Sequence, residues 1–181
     1  TIYTALRASQ NTRTTLLERT SSLAELVNAN TVAQLSGTEA DLETPEYQLL
    51  KQKFTHIQAK NGDIRFIYLL AQAPGKEHSY FIVDSEEPES EDYSYPGQEY
   101  PEGDADVAGV YESEQATVLP VTRDRWGVWL SAFSPVLDAN GNVIAVLGLD
   151  IPATAYYQHI AASAVVPLLL TLLVLSAFLW S

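Results

Sequence analysis

Residues 2 to about 33 contain neither Pro nor Gly, and Leu16, Leu17, Leu23, Leu26 and Val27 recur at helical spacing, which predicts one long helix. The stripe Leu16, Leu23 and Val27 suits packing on the domain's own sheet; a seam between two copies of the chain is the alternative use. Ser36-Gly37-Thr38 interrupts the pattern. Thr44 then caps a second helix, Pro45 fits its first position and Glu46 suits its positive end. Tyr47, Leu50, Phe54 and Ile57 share one face of that helix, and Asn61-Gly62 predicts a left-handed stop.

Segments 65–72, 80–84, 128–137 and 143–150 are rich in β-branched and aromatic residues and bounded by turn formers, so each predicts a strand. Asp138-Ala139-Asn140-Gly141-Asn142 joins the last two as a tight antiparallel hairpin, because Asn-Gly favours positive φ. Between Asp84 and Val107 acidic residues abound, Lys and Arg are absent, and Pro88, Pro96, Gly97, Pro101 and Gly103 interrupt. That composition predicts a long loop over the sheet, with Tyr93, Tyr95 and Tyr100 packing part of it down. A short helix follows within 108–117. The order of elements gives an α+β domain built on an antiparallel sheet.

Residues 160–181 carry no charge and are apolar all round, where a core helix would show a polar stripe. A helix of about 22 residues covers about 33 Å, enough for a hydrocarbon layer of about 30 Å, so the segment predicts a membrane span. Pro167 inside it frees the Ser163 carbonyl and predicts a kink. The chain opens without Met and closes without flanking Lys or Arg, which reads as an excised segment whose orientation is not set by the positive-inside rule.

At 181 residues the chain holds one globular domain and a terminal helix, and its 46% hydrophobic content builds a core. The net charge of −13 argues against nucleic acid, whose binding needs clustered Lys and Arg. With no cysteine there is no disulfide, thiolate nucleophile or Cys-ligated metal. His56, His78 and His159 are scattered, and no zincin, P-loop or nucleophile-elbow pattern occurs. Nothing points to an enzyme or to a cofactor. The acidic loop suits divalent cations in oxygen content but lacks the regular spacing of a cation loop, so a solvated acidic face competes with that use.

Asp124-Arg125-Trp126-Gly127-Val128-Trp129-Leu130-Ser131-Ala132, with Ser134-Pro135-Val136 and Gly141-Asn142-Val143-Ile144-Ala145-Val146-Leu147-Gly148-Leu149-Asp150-Ile151, resembles the terminal hairpin of Cache sensor domains. Ile64-Arg65-Phe66-Ile67-Tyr68-Leu69-Leu70 resembles the first strand of the same family. The resemblance implies a PAS-like antiparallel sheet, with a long N-terminal helix packed on it and a C-terminal helix continuing into the membrane. It divides the chain into the helix of 1–35, the sensor domain of 36–157 and the transmembrane helix of 158–181. It further implies a periplasmic or extracellular receptor module feeding a cytoplasmic diguanylate cyclase, histidine kinase or chemoreceptor output. Arg123-Asp124-Arg125-Trp126-Gly127 matches the R-x-W-Y segment of the family's amino-acid-binding members only in part.

Alternation places Asp150 at a strand end on one face with Gly148, where its carboxylate suits a ligand ammonium or hydroxyl; capping a helix near Pro152 is the competing role. Trp129, Ser131 and Phe133 share a face, as a pocket wall or as plain core. Tyr68, Tyr80 and Asp84 complete the candidate pocket, with Tyr80 and Asp84 on one side of their strand. Arg123 or Arg125 suits a ligand carboxylate, or else neutralises the acidic loop. The expected partners are a small molecule, the membrane and, through the N-terminal helix, a second copy.

Overall fold

The sheet has six strands, all antiparallel, and a computed structural model describes it together with residues 2–72 and 77–179; the side chains of 166–168, 170–175 and 177–179 lie outside that description. Helix α1 (Ile2–Glu25) leads through a single turn, α2 (Ala29–Val32), to α3 (Pro45–Lys60). Strands β1 (Phe66–Ala71) and β2 (Tyr80–Asp84) follow, then the acidic loop, α4 (Asp104–Ser113) and two short strands, β3 (Thr117–Val118) and β4 (Thr122–Arg123). The hairpin β5 (Val128–Leu137) and β6 (Val143–Pro152) runs into α5 (Ala153–Leu179). The strand order is β2-β1-β6-β5-β3, with β4 also on β5.

α1 stops at Glu25, short of the predicted helix end near residue 33. Asn28 is the reason: its side chain accepts from the Asn30 N–H at 2.9 Å and caps α2 as a separate element. α3 starts as predicted, with Thr44 Oγ1 accepting from the Tyr47 N–H. Its end differs, since Asn61 has φ −124° and no left-handed residue follows; Asn61 Nδ2 donates to the Ile57 carbonyl instead. At the hairpin Gly141 takes the positive φ of 87°, and Asp138 Oδ1 accepts from the Asn140 and Asn142 N–H groups.

Alternation along the strands divides two cores. One face, with Ile67, Leu69, Leu130, Leu147 and Leu149, is covered by Leu16, Ala24 and Val27, by Leu50 and Phe54 of α3, and by Tyr156 of α5. The stripe on α1 thus packs on the sheet of its own chain. The other face is aromatic: Phe66, Tyr68, Phe81, Trp129 and Phe133, closed by Val107 and Val110 of α4 and by Tyr100 from the loop. Two bulges break the alternation. Ile82 is inserted in β2 between the partners of Leu69 and Leu70, and Ile144 in β6 between the partners of Val136 and Leu137. Ile144 accordingly packs with the helix-side core rather than with Val146, as strict alternation had placed it.

The predicted span of 160–181 falls largely on side chains outside the description. Among the described residues no helix is long and apolar enough to cross a membrane. α5 packs beside α1, with Tyr156 OH 2.6 Å from Ser9 Oγ.

Gly148 has a packing role. It lies opposite Tyr68 in the β1–β6 ladder, and the Tyr68 ring lies across it where a Cβ would overlap the ring carbons. Gly148→Ala should therefore cost about 1–3 kcal/mol despite the entropy gained over glycine, as overpacking does. Urea unfolding measures it, and the cost should shrink in a Tyr68→Leu background; an unchanged midpoint in Gly148→Ala would refute this reading.

Candidate functional site

The aromatic face does not close completely. Between it and the acidic loop lies a hollow of about 310 Å³ counting its mouth, lined by Phe66, Tyr68, Phe81, Tyr100 and Trp126 and by four carboxylates, Asp84, Asp92, Asp124 and Asp150. The room inside is on the scale of one water molecule.

Asp150 is the deepest carboxylate, 3% exposed, in the middle of the sheet opposite Phe66 on β1 and Ser131 on β5. The Tyr68 ring crosses Gly148 so that its hydroxyl, two residues along, donates to Asp150 Oδ1 at 3.0 Å. Burial pushes the Asp150 carboxyl up to about 7, with hydrogen bonds from Ser131 and Tyr68 pulling the other way. Burial and the neighbouring Asp150 charge hold the Tyr68 hydroxyl well above its usual range, so it stays a donor. The carboxylate engages these two hydroxyls from within the sheet.

Asp84 lies opposite Tyr68 on β2 and performs two tasks. Oδ1 accepts from Lys51 Nζ of α3 at 2.7 Å, and Oδ2 from the Ser94 N–H in the loop at 2.7 Å. Lys51 also donates to the Glu86 carbonyl and sits 4.5 Å from the centre of the Tyr93 ring. Burial pushes Asp84 up to about 6, against Lys51 and the Ser94 amide, which lower it. Arg65 fastens the loop nearer its crest: its guanidinium lies 4.2 Å over Phe66, pairs with Glu86 and reaches Asp92 at 2.5 Å. The loop's far end adds to the edge of β2, with Phe81 N–H to Gln98 O at 3.0 Å and Gly97 N–H to Phe81 O at 2.8 Å.

Asp124 builds the remaining wall. Its Oδ1 accepts from Trp126 N–H, Gly127 N–H and Trp129 Nε1 at 2.8, 3.0 and 2.9 Å, an Asx-type turn that fixes the Trp126 backbone and the Trp129 indole. Oδ2 faces the Tyr100 hydroxyl at 3.4 Å. Arg125, beside it, turns outward to Glu102 at 2.6 Å with its guanidinium over Trp126.

Of the residues named from sequence, Tyr68, Asp84 and Asp150 meet in this hollow. Ser131 supports Asp150 from behind, and Trp129 packs edge-on to Phe66 at 5.0 Å between ring centres, holding Asp124 rather than lining the space. Tyr80 lies on the other face, in the helix-side core against Gly37. The Ile82 bulge is the cause: it shifts the parity of β2, so Tyr80 and Asp84 point to opposite sides. Arg123 is exposed on β4 opposite Val128, away from the hollow. Sequence reading passed over Asp124, Trp126, Tyr100, Phe66 and Phe81. The Asp-x-x-Gly spacing of 124–127 signals the Asx turn, and the loop tyrosines signal the roof. Among the described residues no group of three or more His, Cys, Asp or Glu is placed to hold a metal ion.

An antiparallel sheet with a long helix on one face and a loop-roofed hollow on the other is a PAS-like fold. The ligand-binding domain of the Pseudomonas aeruginosa amino acid chemoreceptor PctC, solved in complex with GABA, superposes with a TM-score of 0.50 at 18% identity, over 88% of this chain and 63% of that one. The ligand-binding domain of the Campylobacter jejuni chemoreceptor Tlp3, solved with L-valine, matches at 0.45 and 16% identity over 88% of this chain and 67% of that one. The E. coli DcuS sensor domain matches at 0.41 and 18% identity, over 73% of this chain and 96% of that one. The chain thus spans about two thirds of the length of the two chemoreceptor domains. No protein-family model and no curated protein matches the sequence.

Proposed function

We propose that the chain is the extracytoplasmic ligand-sensing domain of a membrane signalling receptor, and that its small-molecule ligand binds in the hollow beneath the acidic loop. The observation that carries this reading is the hollow itself, where buried Asp150 and Asp84 meet five aromatic rings on the sheet face opposite α1 and α5. Concave, mostly apolar sites with a few convergent polar groups and shifted carboxyls are where small ligands bind.

In this reading Tyr68, Asp84 and Asp150 contact the ligand, and Trp129 and Ser131 hold the wall. The loop moves outward to admit the ligand and closes through Arg65, Asp92 and Lys51. Closure on ligand repositions β1, β2 and β6 against α1 and α5, and the terminal segment 160–181 carries the shift across the bilayer to a cytoplasmic output, a histidine kinase or diguanylate cyclase. A ligand moves that equilibrium only by its differential affinity for the two states. Pairing of two copies along the outer side of α1 fits the same transmission.

A thermal-shift screen of the chain against a metabolite library tests this. A true ligand at a hundred times its Kd adds about 2.7 kcal/mol of stability, and Tyr68→Phe with Asp150→Asn should remove the shift. Full library silence, or a shift indifferent to both substitutions, would remove the hollow as the sensing site.

A further inference from the structure

Helix α3 carries a polar stripe beside its apolar one. Tyr47, Lys51, Thr55 and Gln58 recur at helical spacing and line one face. All four reach the same stretch of chain, the end of β2 and the near half of the acidic loop. Tyr47 OH lies 3.2 Å from Tyr93 OH, and Lys51 Nζ donates to Asp84 and to the Glu86 carbonyl. Thr55 Oγ1 donates to the Ser85 carbonyl at 2.9 Å, and Gln58 Nε2 to Glu86 Oε1 at 2.7 Å. The loop's far end is fastened differently, by backbone bonds of Gly97, Gln98 and Tyr100 to Phe81 and Ser79. The near half of the loop thus follows α3, and the far half follows the sheet.

At its C-terminal end α3 is tied to α1. Asn61, its C-cap, donates from Nδ2 to the Ile57 carbonyl at 2.7 Å and accepts at Oδ1 from Arg19 at 3.3 Å. Arg19 also pairs with Asp63 in the following turn at 2.5 Å. It makes these contacts between two open clefts of about 840 and 660 Å³ counting their mouths, one reaching Tyr156 and His159 of α5, the other Ile57 and Asn61. Close-packed elements move as a block; a gap bridged by one long side chain lets α3 shift against α1 while Arg19 keeps the two in step.

From this arrangement we infer that α3 is a coupling lever, which carries the position of the acidic loop to α1 through Arg19 by a route separate from the sheet. The inference rests on the loop acting as the lid of the ligand hollow, and it gives that lid a regulatory connection. A ligand held under the lid then biases α1, and by linkage whatever shifts α1 against α3 alters the lid.

Amide hydrogen exchange on the full chain without ligand tests the lever. The buried Ser94 N–H, bonded to Asp84 Oδ2, reports opening of the lid, and the amides of Leu147 and Leu149, in a strand paired on both sides, report opening of the whole domain. Thr55→Val with Gln58→Leu should speed exchange at Ser94 about tenfold, since two hydrogen bonds of the grip are lost. Arg19→Met, a change at a residue bonded to Asn61 and Asp63 and not to the lid, should speed it about threefold with Leu147 and Leu149 unchanged. Added to the Thr55→Val and Gln58→Leu variant, Arg19→Met should have a smaller effect than in the parent, because a loosened grip no longer passes the change on. An unaltered Ser94 rate in Arg19→Met would overturn the inference. So would an equal rise at Ser94, Leu147 and Leu149, which marks general loosening, or an Arg19→Met effect as large in the combined variant as in the parent. All three outcomes leave the hollow standing as the ligand site, because that reading is decided by the metabolite screen.

Discussion

Lys51→Met should destabilise the domain by about 3–5 kcal/mol near neutral pH, the usual cost of removing one partner from a buried ion pair. Lys51 and Asp84 side chains are 10% and 6% exposed, and their 2.7 Å contact joins α3 to β2. Two further ties run through the same ammonium, to the Glu86 carbonyl and the Tyr93 ring. Met fills the aliphatic volume and leaves the carboxyl without its counter-charge. Burial already pushes Asp84 up to about 6 with Lys51 present, so in the variant the group rises further and takes a proton at neutral pH. The deficit should consequently be smaller at pH 5.5 than at pH 8, because protonation limits it at low pH. Urea unfolding at both values measures the difference. Lys51→Met with Asp84→Asn should recover part of the loss, giving a coupling of at least about 1 kcal/mol in a double-mutant cycle. The Ser94 N–H keeps an acceptor in that double variant, so the loop stays attached at one point. Stability of Lys51→Met equal to the parent at pH 8 would show that the pair contributes nothing.

Tyr80 and Asp84 illustrate where the sequence is legible and where it is not. Period-2 alternation locates β1, β2, β5 and β6 and separates Leu147 and Leu149 from Gly148 and Asp150, because a half-buried strand forces apolar residues to one side. A bulge leaves no mark in that pattern: Ile82 and Ile144 are as apolar as the residues around them, yet each shifts the parity of what lies beyond. Strict alternation puts Tyr80 and Asp84 on one side, whereas Tyr80 faces the helix-side core and Asp84 reaches the hollow. Trp129 was legible as a member of the aromatic face but not as a support, since the difference lies in one hydrogen bond to Asp124. Asp124, Tyr100 and Trp126 sit on loops, whose positions follow from long-range contacts and not from local periodicity. Strands β3 and β4 are two residues each, too short to produce any alternation. The stripe on α1 was legible as a buried face; its choice of the sheet is a tertiary outcome that Leu16, Leu23 and Val27 do not encode by spacing alone.

The ligand-free domain should be most stable in mildly acidic solution and lose stability as pH rises towards 7. Asp150 is almost fully buried, and its carboxyl titrates at about 7 in the folded chain against about 4 when unfolded. Between those values the folded state binds the extra proton, so stability falls with rising pH across that window and the contribution is complete only below it. A displacement of about three units corresponds to about 4 kcal/mol as an upper figure. Asp84, raised to about 6, works in the same direction over a narrower range. Carboxyls held below their usual range work oppositely: Glu86 beside Arg65, Asp63 beside Arg19 and Glu102 beside Arg125 add stability as pH rises into the range where the unfolded acids ionise, and lose it in stronger acid. The two sets together place the maximum on the acid side of neutrality. Asp150→Asn should flatten the fall between pH 5 and 7 while leaving the acid limb unchanged, because an amide keeps the Tyr68 hydrogen bond without a titrating proton. Chemical unfolding from pH 3 to 8 reads both limbs. A parent protein whose stability rises from pH 5 to 7, or an Asp150→Asn variant with the parent's slope, would mean that Asp150 is ionised in the folded domain.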